Sequence, residues 1–254
     1  QLVADGSSPT LDAATGARSR GLAGLLGTVV PRGNRVTTDG SFVLGTPKGS
    51  RVVAGLAGTL AAPLRQAGDE GYVIRSMTVG GKRALVIAAN RDVGVLYGAF
   101  DLLRRVQTLR PVEALSVVSA PKIKLRMLDH WDNLDRSVER GYAGPSLWEW
   151  QRLPDSVSRR YRDYARANAS IGINSTVLTN VNANAKVLTP EYLTKVAALA
   201  GVFRPYGIKV FLTARFSAPI ELGGLKTADP LDPAVRDWWK NKVDEMYRYV
   251  PDFG

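Results

Sequence analysis

The chain has 254 residues, 45% hydrophobic and 22% charged, enough to bury a core in one large or two ordinary domains. Its 34 Lys and Arg outnumber 23 Asp and Glu for a formal charge of +11, yet the basic residues are scattered and no RNP-like motif or Cys/His finger accompanies them, which argues against nucleic acid. The absence of cysteine excludes disulfides and thiolate sites, the single His130 excludes a His-rich metal site, and no apolar run approaches the ~20 residues of a membrane span.

The first ten residues, QLVADGSSPT, lack the basic start and apolar run of a signal peptide. If one was removed before Gln1 the protein is periplasmic or extracellular; otherwise it is cytoplasmic. Gly21–Val30 suits a small helix or a strand. Ser41–Pro47 reads as a strand ended by Gly and Pro. Val52, Leu56, Leu60 and Leu64 recur at the helix period over 50–67, and Pro63 is expected to end or bend that helix. Tyr72–Val79 and Lys82–Ala88 are predicted strands joined at Gly80-Gly81, a two-residue hairpin signal. Arg91 to Gln107 reads as an amphipathic helix, in which Gly94 and Gly98 fit close packing on a sheet. With a further strand at Leu115–Val118, the order describes a small α/β sandwich over 1–120.

Pro111–Pro121 is the expected linker, and from 121 to 254 the rhythm becomes strand, long loop, helix. Predicted strands at Ile123–Leu128, Ile173–Leu178 and Ile208–Thr213 alternate with helices at 155–170, at 189–206 and from Asp232 onward. Asp155, Thr189 and Asp232 are the expected N-caps, the last two followed by Pro. Such alternation requires a parallel sheet with crossover helices. A (β/α)8 barrel has eight such units and ~250 residues. Strand, helix and loop lengths suit either a barrel or an open doubly wound sheet; as a barrel, the three units between Ile123 and Gly254 read as its beginning in a chain cut short.

Function gathers at the C-terminal ends of such strands. The first ends in His130, Trp131, Asp132 and Asn133, the second in Asn180, Val181 and Asn182, the third in Arg215. An indole flanked by carboxylate and amide groups suits a pyranose, whose C–H face it covers while the polar groups take the hydroxyls. The same spacing also suits a capped loop over a buried Trp, and the amides of TNVNANA also suit Asx turns. Asp129, Asp132, Asp135, Glu139 and Glu149 are the carboxylates in reach, all but Asp132 with ready structural roles. Trp148 and Trp150 fit either an aglycone subsite or a satellite core beneath the loop. Tyr161, Tyr164, Trp238 and Trp239 sit at helical spacing and read as core.

The run RMLDHWDNLDRSVERGYAG, together with VLTNVNA at Val177–Ala183, resembles the α-glucuronidases that release (4-O-methyl)-D-glucuronic acid from xylo-oligosaccharides. GKRALVIAANRDVGVLYGAFDLLRR resembles the non-catalytic, hexosaminidase-like domain that precedes the barrel in several glycosidase families. The resemblance implies a (β/α)8 TIM barrel, an inverting mechanism, and acid and base carboxylates on strands beyond Gly254. It implies that Trp131 forms a stacking wall and that Val181 lines the pocket for the sugar's apolar substituent. Asn180 and Asn182 would contribute to the rim, Arg140 or Arg215 a cation, and His130, Asp132 and Asn133 the rest of the substrate-binding set. The implied partner is an acidic xylo-oligosaccharide, with no cofactor, metal, nucleic acid or membrane; homodimerisation of the whole enzyme stays open. The competing reading is a non-catalytic carbohydrate-binding module, should 254 residues be the natural length.

Overall fold

Gly80 and Gly81 both adopt positive φ, 57° and 78°, the conformation that lets a two-residue turn follow the twist of its flanking strands. The hairpin they close organises the first half of the chain. The computed structural model describes residues 1–254. It forms two units, Gln1–Lys124 with the short segments Ala169–Gly172 and Pro205–Gly207, and the remainder from Leu125 to Gly254.

In the first unit the elements are β1 (Leu2–Val3), α1 (Pro9–Leu26), β2 (Arg32–Gly33), β3 (Ser41–Gly45), α2 (Arg51–Ala54), α3 (Ala57–Ala67), β4 (Tyr72–Val79), β5 (Lys82–Ala88), α4 (Asp92–Gln107) and β6 (Ser116–Ser119). The sheet runs β2-β1-β3-β5-β4-β6, parallel from β2 to β5 and antiparallel at both sides of β4. Alternation along the strands sends Val43, Val73 and Val86 into a cluster with Val53, Leu60 and Leu64 of α2 and α3. Ile87 points the other way, toward α4. A Cβ on Gly98 would stand 2.6 Å from Ile87 Cγ2, and one on Gly94 would collide with the Gly71 carbonyl, so both glycines serve close helix–sheet approach. Helices thus cover both faces of the sheet, as the sandwich reading expects.

Two local expectations need correction. Gly21–Val30 is neither a separate helix nor a strand: residues through Leu26 extend α1, which Gly27 ends at φ 65°. The helix over 50–67 breaks at Gly55-Leu56, and α3 does not end at Pro63 but continues to Ala67. Proline has no N–H for the carbonyl four residues back, that of Thr59. Arg75 Nη1 of β4 reaches that carbonyl at 3.4 Å, so the orphaned acceptor has a long-range donor.

The second unit contains β7 (Met127–Asp129), α5 (Arg159–Ser170), β8 (Ser175–Val177), α6 (Pro190–Phe203), β9 (Lys209–Phe211), the short α7 (Ala218–Glu221) and α8 (Pro233–Tyr249). The three strands lie in the order β7-β8-β9, all parallel, with Leu128, Thr176 and Val210 in register. This is the start of a barrel: three strand–helix units in sequence order. The strands are shorter than predicted. Backbone bonds nevertheless continue at the ends, from His130 N to Val177 O and from Leu178 N to Phe211 O.

Asp155 is not the cap of α5. The helix starts four residues later, where Ser158 Oγ accepts from Arg160 N, and Val157 and Ile171, outside it, are exposed. Asp232 does cap α8, accepting from Ala234 N at 2.8 Å. Of that helix's apolar side chains only Val235 is buried. Trp238 and Trp239 are half-buried and pack edge-on against each other at 4.8 Å, so they are not the core residues that the helical spacing suggested.

Candidate functional site: the loops after the first two barrel strands

Beyond β7 the chain alternates inward and outward, and that alternation sets the role of each residue. His130 and Asp132 point in; Trp131, between them, is 46% exposed. His130 Nε2 lies 2.6 Å from the Tyr164 hydroxyl of α5, and its Nδ1 lies 3.7 Å from Asp132. The imidazole packs on Trp148 and Tyr164, with centroids 5.0 and 5.5 Å away. Burial raises the Tyr164 hydroxyl's pKa above its ordinary value, keeping it protonated at neutral pH. Asp132 is almost wholly buried and accepts from Ser146 Oγ, whose oxygen in turn accepts from Trp148 N at 2.9 Å. These inward residues fasten the loop, and the indole between them is thereby held at the surface.

Asn133 is a second fastening. Its Nδ2 donates to Ser137 Oγ at 3.0 Å and Glu139 O at 2.8 Å, and its Oδ1 accepts from Asn180 Nδ2 at 3.0 Å. Asn180 is buried; its backbone N donates to Asp132 O at 3.0 Å, and its Oδ1 accepts from Asn182 N at 2.6 Å. Thr213 Oγ1, after β9, donates to Asn180 O at 2.7 Å. The amide-rich stretch therefore builds turns and ties three loops together. Between Asn180 and Asn182, Val181 stands 57% exposed.

The turn after Asn133 is strained. Arg136 and Glu139 take positive φ, 76° and 56°, conformations that side chains other than glycine seldom adopt. Paired backbone bonds from Glu139 N to Trp131 O and from Ser146 N to Arg136 O hold them there. Arg140 lies exposed at the tip of this turn, beside exposed Tyr142, whose hydroxyl donates to Glu139 Oε1.

The structure sorts the expected set accordingly. Trp131, Val181, Asn182 and Arg140 reach solvent, whereas His130, Asp132, Asn133 and Asn180 mainly position them. Trp148 and Trp150 have no exposed surface, so they form the core beneath the loop and not an aglycone subsite. The carboxylates near the strand ends are mostly engaged. Asp135 is held below the usual carboxylate range by hydrogen bonds from the Ser137 hydroxyl and backbone, and Glu149 faces Arg136 and Arg152.

A polar cleft of about 500 Å3 opens among these loops, bordered by Asn133, Asn182 and Arg215 and also by Gln151, Lys186 and Tyr192. Sequence reasoning missed those last three and also Ser146. Gln151 sits in a turn and Lys186 in a short 3-10 helix, neither with a motif, and Tyr192 reads as one more apolar position of α6.

Two family models match the chain: the glycosyl hydrolase family 67 N-terminus over residues 1–102 and the family's middle domain over 105–254. The chain belongs to glycosyl hydrolase family 67. Among its curated relatives, the probable alpha-glucuronidase A of Aspergillus terreus is 43% identical over 168 residues, 65% of this chain and 20% of that protein. Alpha-glucuronidase A of Emericella nidulans is 42% identical over 190 residues, 72% and 22% of the two chains. The family 67 chain thus spans about a fifth of the length of these relatives. Among solved structures, a family GH115 4-O-methyl-alpha-glucuronidase with specificity for decorated arabinogalactans superposes with a TM-score of 0.64 at 17% identity, over 96% of this chain and 33% of that one. A GH138 enzyme targeting pectin rhamnogalacturonan II gives 0.66 at 16%, over 100% and 30%. At that identity the likeness is one of fold alone.

Proposed function

We propose that this chain supplies part of the substrate-binding face of an inverting α-glucuronidase, which removes (4-O-methyl)-D-glucuronic acid from small acidic xylo-oligosaccharides. The observation that carries the reading is the presentation of Trp131 and Val181. Both are apolar, both are about half exposed, and each adjoins one buried polar residue, Asp132 or Asn180, whose hydrogen bonds hold the loop. Exposed apolar side chains on a rigid polar frame are what a sugar's C–H face and a methyl substituent require. Membership of family 67 and relatives named alpha-glucuronidases support the activity.

Inverting hydrolysis needs an acid and a base carboxyl about 6.5–9.5 Å apart. Asp132 accepts from Ser146 and faces His130 at 3.7 Å, Asp135, Glu139 and Glu149 are engaged at the surface of the loop, and Asp129 stands exposed at the end of β7 with no second carboxyl paired to it. The residues of this chain therefore bind and orient, and the hydrolytic pair belongs to other strands of the family barrel. The test is to incubate the whole family 67 protein carrying this chain with aldouronic acids and follow the sugar by proton NMR. Release of glucuronic acid as the β-anomer first supports the proposal; absence of release, or the α-anomer first, contradicts it.

A further inference from the structure

The first unit has a cavity of its own, of about 480 Å3. Phe42, Met77, Leu85 and Val112 line it, and Arg83 and Glu113 stand exposed at its border. We propose that this cavity and the buried Arg18 guanidinium together bind a monocarboxylate with an apolar body. All of these residues lie in the first unit, so the assignment is independent of the α-glucuronidase reading.

Arg18 belongs to α1 and has no exposed surface, and none of its guanidinium nitrogens has a hydrogen-bond partner in the chain. No carboxylate of the unit pairs with it. Asp92 accepts from Ser8 Oγ at 2.5 Å, Asp101 pairs with Arg105 at 3.1 Å, and Asp39 accepts from Arg83 N at 2.7 Å. A buried charge without a counter-ion is unfavourable in the free protein, and a bound anion would supply what the chain does not. The Phe42 ring connects this charge to the cavity. Arg18 Cζ lies 4.1 Å from the ring centroid, and the same side chain forms part of the cavity wall. Phe42 is only half-buried, so a change of its rotamer would join the guanidinium to the cavity.

The cavity's volume falls within the ~300–1,000 Å3 of small-molecule sites. Its lining is mainly apolar, and the Ser76 hydroxyl is already engaged, accepting from Leu115 N at 2.9 Å. Arg83 and Glu113 offset each other at the border, which leaves the single positive charge of Arg18 to be balanced. A monocarboxylate balances it, and its two oxygens match the paired N–H groups of a guanidinium. A phosphate dianion would bring an excess charge past Glu113 and leave the apolar walls unfilled. A neutral apolar molecule would fill the walls and leave Arg18 unpaired.

The experiment is isothermal titration of octanoate, cinnamate, octanol and inorganic phosphate into the protein and into two variants, Arg18→Met and Val112→Glu. The first keeps the apolar stem and removes the charge. The second leaves Arg18 in place and adds a carboxylate to the half-buried wall. Saturable binding of at least one acid in the millimolar range is expected, with no saturation by octanol or phosphate over that range. Octanoate and cinnamate distinguish an aliphatic from an aromatic body. Arg18→Met should weaken binding about tenfold or more, the size of a lost charge-assisted pair, and the repulsion in Val112→Glu should weaken it comparably. A melting curve on each variant establishes that it is folded, and if one is not, the other decides. Failure of both acids to saturate the parent overturns the assignment. So does binding of octanol or phosphate as tight as that of the acids, or undiminished affinity in a folded variant.

Discussion

Asn180 Nδ2 donates to Asn133 Oδ1 across 3.0 Å, joining the loop after the first barrel strand to the loop after the second. Asn180 adjoins Val181 and Asn133 lies two residues from Trp131, so this bond and the one from Asn180 N to Asp132 O together fix the spacing between the Trp131 and Val181 segments. Asn180→Ala would leave Asn133 Oδ1 and Asn182 N without their partners, while the backbone bond to Asp132 O remains. The expected cost is ~1–3 kcal/mol, measured by urea unfolding. A loss below ~0.5 kcal/mol would mean that the backbone alone joins the loops.

Trp148 lies at the centre of an aromatic cluster with His130, Tyr161, Tyr164 and Phe203, all with centroids 5.0 to 5.8 Å from its own. It has no exposed surface. Trp148→Ala should cost ~3–5 kcal/mol, as expected for emptying such a volume. A melting curve close to that of the parent would show that the cluster is not the loop's foundation.

Arg18 in α1 is wholly buried, none of its guanidinium nitrogens has a hydrogen-bond partner in the chain, and its Cζ lies 4.1 Å over the Phe42 ring. Burial lowers its pKa from the ordinary arginine range to about 9. The cation–π contact is worth ~0.5–2 kcal/mol, less than the cost of an unpaired buried charge. Arg18→Met should therefore stabilise the first unit by ~1 kcal/mol or more at neutral pH. Between the folded and unfolded pKa values the unfolded chain binds more protons, so the parent gains stability as pH rises above about 9 and the advantage of the variant shrinks. Destabilisation by this substitution at pH 7 would contradict the account.

In the second unit Arg204 donates twice to Asp252, at 2.6 and 2.7 Å, and these bonds hold the Asp252 carboxyl below its usual range. Because the folded pKa is depressed, the pair stabilises fully above the unfolded value near ~3.9 and loses that contribution as pH falls through the folded value. Both side chains are about half exposed, so solvent screening limits the effect to ~0.5–1 kcal/mol. Asp252→Asn should melt lower than the parent at pH 7 and alike at pH 2. A difference that persisted at pH 2 would assign it to packing.

What the sequence revealed, and what it withheld, follows from the range of the forces involved. The Gly80-Gly81 turn, the Asp232-Pro233 helix start and the glycines of α4 were legible because their signals are local. The parallel order β7-β8-β9 was legible because strand and helix alternate. The start of α5 and the course of α3 through Pro63 were not, since Ser158 and the distant Arg75 decide them. At the candidate site, the pattern of residue types pointed to these loops but could not separate Trp131 from Trp148. Exposure there depends on which residues pair across the loops, His130 with Tyr164 and Asp132 with Ser146, and those partners lie 34 and 14 positions away.

The most direct test is Trp131→Ala in the whole family 67 enzyme, with melting curve and kcat/KM on an aldouronic acid measured on the same preparation. Trp131 is 46% exposed and its neighbours hold the backbone independently of the indole. Its removal should cost no more than ~1–2 kcal/mol of stability, under half of what a buried Trp contributes. In the proposed role of an anchor over one face of the sugar, it should contribute ~2–4 kcal/mol to transition-state binding, so kcat/KM should fall ~30- to 1000-fold. A large fall in melting temperature with unchanged kinetics would make the loop structural and contradict the central claim.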